Sequence, residues 1–492
     1  MSENERNKRL FVSNFEDEKW NRVFDVDRVL KKPVEEQTVK DGIILPLRVR
    51  EDIRTLDEAY EGGVCRADGT FVAGLRRDYV RENANISVCK SYEVEPDQLQ
   101  HVHETVVFGG ILQEQFGDML TMSTTRLWWF ARNPDTEYKF VFLHRPGAST
   151  YPDSFFNLIG LTPDRMLILT EPTQFDHVIV PDEACFILTR ASYQWLEPFD
   201  MAKEIVSKTM TPPEAKKIYL SRSHLAKYGS GDGVNEEYYE TFYEKRGFLV
   251  LHPQELPLAE QINYLMNADE IVCTFGTLSH MALFARSGVK HTSILRSPEL
   301  WIHQAVVNAV RELDWYWVEG TRNPLTTSHD FGYFLYYPTV YFKQYLESTG
   351  TAYEPEEFLP ENPSDELIVR YIKGWAKHFS NPLFFKRISE KTALDELSSL
   401  YAVFYGETLD LEEYNANTLQ LQRDKIKELQ DKMYTQLREK EKEYADLAKE
   451  KHQLVLELKK TRKRLDDIEN SSTWKATKPL RSTLEKVKGL RK

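Results

Sequence analysis

The residues best suited to chemistry follow two apolar runs in the second half of the chain. KIYLSR predicts a buried strand that ends at Ser221 and Arg222, and EIVCTFG predicts another strand that ends at Gly276. Residues at the carboxyl ends of parallel strands face the ligand crevice of an open α/β sheet. The planar guanidinium of Arg222 suits a phosphate group. These strand ends therefore predict an anion-binding crevice.

The loop after the second strand predicts a further part of that crevice. Gly276 to Ser279 lead into HMALFARSG, which we interpret as a helix. A small-residue loop at a helix N-terminus presents free N–H groups and the positive end of the helix dipole to an anion. His280, in the first turn, is expected to donate a further hydrogen bond to a diphosphate. A Gly-Thr loop before a helix also occurs as plain packing, so both interpretations stay open.

Alternating strands and amphipathic segments predict the elements that position this crevice. EGGVCRADGTFVAGLRR, near the N-terminus, predicts a strand, a turn and a second strand. From about Glu104 to Tyr345, short β-rich runs alternate with helix-length connections, which indicates parallel α/β layers. These runs are KFVFL from Lys139, MLILT from Met166, HVIVP from His177, KIYLSR from Lys217, FLVLHP from Phe248 and EIVCTFG from Glu270.

Composition excludes several classes of protein. The 492 residues are 41% hydrophobic and 12% aromatic, which is enough to bury cores. The sequence contains no run of 18 apolar residues, so we expect no membrane-spanning helix. Its polar start does not resemble a secretory signal. Four scattered cysteines argue against a disulfide framework. With 64 Lys plus Arg against 77 Asp plus Glu, the net charge of −13 argues against a nucleic-acid partner. We expect a soluble protein of a reducing compartment.

The order of short motifs resembles glycosyltransferase family 61, and its bacterial surface-polysaccharide branch in particular. YLSR, NE, RGF, PQEL, L-x-EQI, ADEIV and GTLSHMALFA follow one another as in that family. Upstream, VVFGGILQEQFGDMLTMSTTRLWWFARN resembles the family's G-G…F-G-H-F-L-x-E-S-x-x-R-L-W segment. The resemblance extends from about Thr105 to Arg296.

The resemblance implies a GT-B architecture, in which two Rossmann-like domains face each other across a cleft. It also implies a nucleotide-sugar donor in the C-terminal half, a glycan or lipid-linked acceptor in the N-terminal half, and inversion without a required metal or cofactor. No D-x-D triad stands at a predicted strand end. Glu260 has an alternative interpretation as an exposed helix carboxylate. The donor-binding residues implied are Ser221, Arg222, Asn235, Glu236, Glu260, Gly276, Thr277, Ser279 and His280.

The catalytic base departs from the family pattern. The family places a His after F-G and a Glu four residues later, whereas this chain has Asp118 and Met122. Arg126 is kept from the family pattern, and it is the second candidate catalytic residue. Asp118 is the candidate base, since desolvation in a closing cleft raises the pKa of a carboxylate. The alternative is that the base is lost and the domain is a degenerate transferase that acts as a scaffold. By residue type alone, the other candidates are His101, His103, His144, His224 and His252.

A long charged segment near the C-terminus predicts a coiled coil. From Leu411 to Ile468 there is no Pro or Gly, and apolar residues recur at spacings of three, four and seven. The seam is interrupted by Lys440, Lys451 and Thr461, so two or three strands fit equally well. We expect a homo-oligomer through this helix, and the alternative is a single solvated helix.

The last 22 residues predict a peripheral contact with a membrane. They carry seven Lys or Arg and one Glu, with apolar residues at roughly helical intervals. Anionic lipid attracts such a tail at about 1 kcal/mol per basic residue. The ending also resembles the S-x-S-W-R-x-T-x-P-L-R tail of bacterial polysaccharide glycosyltransferases. We therefore expect a cytoplasmic protein on the inner face of the plasma membrane, in contact through Trp474, Lys475, Lys478, Arg481, Lys486 and Lys488.

These patterns together predict six parts. The α/β body is expected to hold both halves of the cleft, and the helical parts are expected to follow it. The predicted parts are an N-terminal extension (1–100), an acceptor-side α/β domain (101–210), a Rossmann-like nucleotide-sugar domain (211–345), a helical and aromatic segment (346–406), the coiled coil (407–470) and the basic amphipathic tail (471–492).

Overall fold

A computed structural model describes most of the predicted α/β body. The described residues are 9–13, 27–49, 60–74, 88, 90–113, 115–144, 153–186, 189–228, 233–297, 302–323 and 333–358, with a few positions between 363 and 402. The described residues belong to one compact unit, which ends at residue 408. The predicted coiled coil and basic tail lie outside the described residues.

Seventeen strands are assigned within the described ranges. In chain order they are β1 Leu10–Phe11, β2 Glu36–Val49, β3 Tyr60–Cys65, β4 Phe71–Ala73, β5 Gln100–Leu112, β6 Lys139–His144, β7 Met166–Leu169, β8 Thr173–Pro181, β9 Cys185–Phe186, β10 Arg190–Ala191, β11 Lys217–Leu220, β12 Gly233–Val234, β13 Leu249–Leu251, β14 Glu270–Thr274, β15 Lys290–Leu295, β16 Asp314–Glu319 and β17 Phe334–Leu335.

The α-helices of the described ranges are short, and several 3-10 turns connect them to the strands. The helices are α1 Phe116–Asp118, α2 Trp128–Arg132, α3 Asp153–Leu158, α4 Glu197–Thr209, α5 Glu237–Glu244, α6 Leu258–Asn267, α7 Thr277–His280, α8 Ile302–Val310 and α9 Val340–Ser348. A π-helical turn, Met119–Ser123, follows α1 directly.

The first sheet is mixed and has seven strands in the order β4-β3-β2-β8-β5-β6-β7. The pairs β8–β5, β5–β6 and β6–β7 are parallel, and the pairs from β4 to β8 are antiparallel. The hairpin of β3 and β4 confirms the predicted strand–turn–strand. However, β2, β3 and β4 belong to this sheet and do not form a separate N-terminal extension. The pairing of β2 with β8 spans more than 120 residues of chain, so no local pattern predicts it.

The second sheet is wholly parallel, with six strands in the order β1-β16-β15-β14-β11-β13. Numbered by their occurrence from residue 217, the last five strands have the order 2-1-3-4-5, which is that of doubly wound folds such as flavodoxin. The strand order reverses between β11 and β14. This reversal is the switch point at which such sheets bind their ligands.

Both faces of the second sheet are buried, as a parallel sheet requires. Ile218 and Leu220 of β11 pack into one hydrophobic cluster with Ile262 and Leu265 of α6. Tyr219, which points to the other face, packs into a second cluster with residues of α5 and α9. Two-sided burial explains why these strands are continuous apolar runs and not alternating ones. The predicted α/β class is confirmed.

The described part of the chain has no helix that is both long enough and apolar enough to cross a membrane. The predicted helical and aromatic segment, 346–406, is described only in part, with α9 ending at Ser348 and a 3-10 turn at Pro355–Glu357.

Candidate functional site

The switch point of the second sheet brings together the two strand ends that the sequence singled out. Arg222 follows β11 by two residues, and Gly276 follows β14 by two residues. Gly276 has φ 132° and ψ −148°, a backbone conformation that other residues rarely adopt. A Cβ added there would lie 3.8 Å from Nη1 of Arg222. A positive charge and a side-chain-free backbone therefore lie side by side at the crevice.

A buried carboxylate fixes the backbone at the end of β11. Oε1 of Glu236 accepts hydrogen bonds from the backbone N–H of Arg222 at 3.0 Å and from the hydroxyl of Tyr219 at 3.3 Å. Burial raises the pKa of that tyrosine well above its usual range. Asn235 has φ 71°, and its side-chain amide donates to the carbonyl of Tyr336 at 2.9 Å. Of the predicted donor-binding pair, Glu236 thus supports the strand end that carries Arg222, and Asn235 bonds to the backbone of Tyr336.

The hydroxyl of Ser221 is also engaged within the protein. It donates to Oε1 of Glu240 at 2.5 Å, and the hydroxyl of Ser223 donates to the same oxygen at 2.6 Å. Ser221 is fully buried. These bonds link the turn after β11 to helix α5. Ser221 is therefore placed to shape this turn, while the side chain of Arg222 reaches the neighbourhood of Gly276.

The loop after β14 differs from the predicted long helix. Helix α7 has only four residues and continues as the 3-10 turn Met281–Phe284. Extended backbone at Ala285 then leads toward β15. So few aligned peptide units give a weak dipole, and the helix-dipole argument for an anion does not apply here. Within the loop, the Ser279 hydroxyl donates to the Gly276 carbonyl at 2.6 Å, which fixes the turn.

His280 is buried and neutral. Nδ1 lies 2.9 Å from the side-chain oxygen of Gln304, whose amide nitrogen donates to Asn308. Burial lowers the pKa of His280 to about 4. An imidazole that is neutral near pH 7 and gives its Nδ1 proton to Gln304 has a lone pair on Nε2. The predicted hydrogen bond from His280 to a diphosphate would require a proton on Nε2 as well, and this role stays a prediction.

The turn that carries Asp118 contacts the loop after β14. The side-chain amide of Gln115 donates to the hydroxyl of Thr277 at 2.9 Å, and its oxygen accepts the backbone N–H of Asp118 at 2.7 Å. A Cβ on Gly117 would lie 2.7 Å from the Thr277 hydroxyl oxygen. The candidate base, half-buried on α1, thus lies on the element that packs against the anion loop. Thr277 itself uses its hydroxyl in this contact.

Arg126 does not face a ligand. Its side chain is 3% exposed and donates to the carbonyls of Pro181 and Gly74, and its Nη2 lies 3.8 Å from Oε1 of Glu183. Burial lowers the pKa of this guanidinium. The predicted catalytic role is not supported by this geometry, because the charge holds the strand ends of the first sheet together.

Residues 82–294 match the family model described as Glycosyltransferase 61. The matched segment is less than half of the 492 residues, and it contains the candidate base, Arg222 and the whole loop after β14. No curated protein matches the chain. The match supports a glycosyltransferase-like α/β fold and a transferase activity for this segment.

Four other sequence candidates lie on other elements. Glu260 is half-buried in the first turn of α6 within the Glycosyltransferase 61 segment. His103 pairs with Asp176 on the exposed part of β5, beside exposed His101. His144 ends β6. The described residues contain no group of three His, Cys, Asp or Glu side chains placed to hold a metal ion.

Two further candidates are stacked near the switch point. The rings of His224 and His252 have centroids 3.5 Å apart and are nearly parallel. Nδ1 of His224 lies 2.8 Å from Oε1 of Glu255. These residues follow β11 and β13, so they lie at the same edge of the sheet as Arg222. The two histidines therefore form part of the rim of the crevice.

Sequence reasoning missed two residues of the site. Arg296 follows β15, just beyond the Glycosyltransferase 61 segment, and its Nη2 is 2.8 Å from the position of a Cβ on Gly276. Arg296 follows β15 as Arg222 follows β11, but only the last two residues of KHTSIL are apolar, so no apolar run predicted this strand and the strand-end rule did not reach Arg296. Gln115 had no signal either, since its partner Thr277 is distant in sequence.

Proposed function

We propose that this chain is an inverting glycosyltransferase that moves a sugar from a nucleotide-sugar donor to a growing bacterial surface polysaccharide. The observation that supports this most is Arg222 at the switch point, within a segment that matches Glycosyltransferase 61. Ligands of open α/β sheets bind at the switch point. In this proposal the second sheet binds the donor, the first sheet faces the acceptor, and the two form a GT-B pair.

The proposed reaction is a single displacement that needs no metal ion. The oxygen of an acceptor hydroxyl attacks the anomeric carbon of the donor sugar, and the bond from that carbon to the diphosphate breaks. The hydroxyl proton goes to the carboxylate of Asp118, and the electron pair of the broken bond goes to the departing diphosphate. Arg222 offsets the charge that develops on this leaving group. Both residues belong to elements that meet at the loop after β14.

A donor-binding screen followed by a transfer assay tests this proposal. Wild-type protein is titrated calorimetrically with UDP, GDP, CDP and TDP sugars, and transfer from the sugar that binds is then measured. Asp118→Asn should reduce transfer by about 100-fold to 10,000-fold, the usual contribution of a general base. It should leave donor affinity unchanged. The control is Asp135→Asn, because Asp135 is an exposed carboxylate in a loop of the first sheet.

A second candidate function is a scaffold without catalytic activity. It is favoured by Met122, which is 1% exposed and packs in the apolar core where the family pattern has a Glu. Together with the buried Arg126, this leaves Asp118 as the only one of the three predicted positions suited to acid–base chemistry. Failure of wild-type protein to bind any sugar nucleotide would support the scaffold over the transferase.

We also propose that the C-terminal segments hold the enzyme at the inner face of the plasma membrane as an oligomer. The support is the heptad-like pattern of 407–470 and the charge of +6 in 471–492. A protein truncated after Gly406 should keep transfer to a soluble acceptor. It should lose oligomerisation in light scattering and binding to vesicles that contain anionic lipid. Vesicle binding that persists after truncation would contradict this role of the tail.

A further inference from the structure

Two arginines from different strands converge on one glycine. Arg222 follows β11 and Arg296 follows β15, and between these strands lies β14, which leads to Gly276. A Cβ on Gly276 would lie 2.8 Å from Nη2 of Arg296 and 3.8 Å from Nη1 of Arg222. Any larger residue would therefore fill the space between the two guanidinium groups. The absence of a side chain leaves this space to the arginines.

The position of Arg296 is held by its surroundings. Its carbonyl accepts hydrogen bonds from the Thr321 hydroxyl at 2.9 Å and from the Asn323 amide at 2.7 Å. Its guanidinium carbon lies 4.8 Å from the ring centroid of Phe334. An aromatic ring supports the face of a guanidinium and leaves the N–H donors in its plane directed outward. Arg296 is 8% exposed, so its charge acts at the crevice with little screening by water.

The charges around this pair include two carboxylates. Glu236 accepts the backbone N–H of Arg222, and Glu240 accepts from Ser221 and Ser223 on the same turn. Glu236 immediately precedes α5 and Glu240 lies within it, and both bond to the end of β11 and the turn that follows it. Two guanidinium groups that face the same space repel each other, and an anion placed between them reduces that repulsion.

We propose that Arg296 is a second phosphate-binding residue, which acts with Arg222 across Gly276 on the diphosphate of the donor. This rests on the proposed function, because it takes the switch point as the donor site. Each guanidinium presents a planar fork that fits one phosphate group. Two guanidinium forks on opposite sides of a glycine match a diphosphate better than they match a single phosphate group. Arg296 therefore contributes more to binding a nucleoside diphosphate than to binding a monophosphate.

The test compares nucleotide affinities of wild type, Arg296→Gln, Arg296→Lys and Arg286→Gln by calorimetry. The probes are UDP, GDP, CDP and TDP, the matching monophosphates, and inorganic pyrophosphate. Arg286→Gln is the matched control, because this arginine pairs with Asp269 at the opposite end of the same sheet. Arg296→Lys keeps the charge and serves if Arg296→Gln does not fold, which circular dichroism determines.

Arg296→Gln is expected to weaken the best diphosphate about tenfold or more, the scale of a lost charge-assisted hydrogen bond. It should weaken the monophosphate clearly less, and Arg296→Lys should weaken the diphosphate by an intermediate factor. If both Arg296 variants bind the diphosphate with the same affinity as the wild-type protein, this inference is overturned and the proposed function stands. If wild-type protein binds no nucleotide and no pyrophosphate, both are overturned.

Discussion

The side-chain amide of Gln115 donates a 2.9 Å hydrogen bond to the hydroxyl of Thr277. The oxygen of the same amide accepts the backbone N–H of Asp118. One side chain therefore connects the turn of the proposed base with the loop of the proposed leaving group. In the proposed displacement both groups act in one transition state, so their separation bears directly on the rate.

Thr277→Val tests whether this connection positions the reacting groups. The variant keeps the shape of the side chain and removes the hydroxyl. We expect kcat to fall by about 10-fold to 100-fold, because a shift of about 1 Å in the position of a reacting group has effects of this size. Donor affinity should stay within twofold, and Thr277→Ser should restore kcat. Steady-state kinetics and calorimetry measure the two quantities.

The opposite outcome has a clear meaning. Weaker donor binding at unchanged kcat would show that Thr277 contacts the donor, as the sequence analysis expected. It would also show that the contact with Gln115 does not set the geometry of the reaction.

Gly276→Ala should lower the free energy of unfolding by about 1–3 kcal/mol, the cost of a residue in a sparsely populated backbone region. The φ of 132° disfavours any side chain, and the new Cβ meets the guanidinium of Arg296. Urea unfolding measures the stability, and calorimetry should show weaker diphosphate binding. Gly288→Ala is the control, because Gly288 has φ 77° but no atom within 4 Å of the added Cβ. Unchanged nucleotide binding in Gly276→Ala alone would contradict the crowded geometry.

The crevice was predictable from the sequence because its strands are short apolar runs with abrupt ends. KIYLSR and EIVCTFG each end two residues beyond the end of β11 and β14, so the strand-end rule placed Arg222 and Gly276 just after these strands. The length of the helix after Gly276 was overestimated, because a run of Met, Ala, Leu and Phe fits a buried 3-10 turn as well as an α-helix. Periodicity does not separate the two over so few residues.

Long-range contacts account for what the sequence did not reveal. The antiparallel pairing of β2 with β8 joins segments more than 120 residues apart, so residues predicted as an extension are part of the first sheet. Arg126 follows the family motif, but its burial against the carbonyls of Pro181 and Gly74 depends on that same pairing. The sequence does not distinguish an arginine that faces a ligand from an arginine that is buried against backbone carbonyls.

Arg126→Met should lower the free energy of unfolding by about 3–5 kcal/mol, because it removes a buried guanidinium that lies 3.8 Å from the carboxylate of Glu183 and donates to two backbone carbonyls. Urea unfolding at pH 7 measures this change. Arg132→Met, which breaks the exposed ion pair with Glu197, should cost no more than about 1 kcal/mol. If Arg126→Met kept full stability and donor affinity but lost transfer, the catalytic role predicted from the sequence would be correct.

Two buried histidines behind the crevice make stability depend on pH. Burial lowers the pKa of His280 to about 4 and that of His291 to about 3, from a usual value of 6.5. Below pH 6.5 the unfolded chain therefore binds protons that the folded protein does not. The free energy of unfolding falls as pH drops from 6.5 toward 4, and these two residues contribute nothing to the slope well above pH 6.5.

His280→Gln should flatten this dependence. One histidine contributes about 1.4 kcal/mol per pH unit where its folded and unfolded states differ by a full proton. The slope of the free energy of unfolding between pH 4.5 and 6 should therefore fall by up to about that amount in the variant, since glutamine does not titrate. Urea unfolding across this range measures the slope. His101→Gln, at an exposed position of β5, should leave the slope at its wild-type value. A wild-type slope in His280→Gln would show that His280 is protonated in the folded protein, and its neutral state in the crevice would then be wrong.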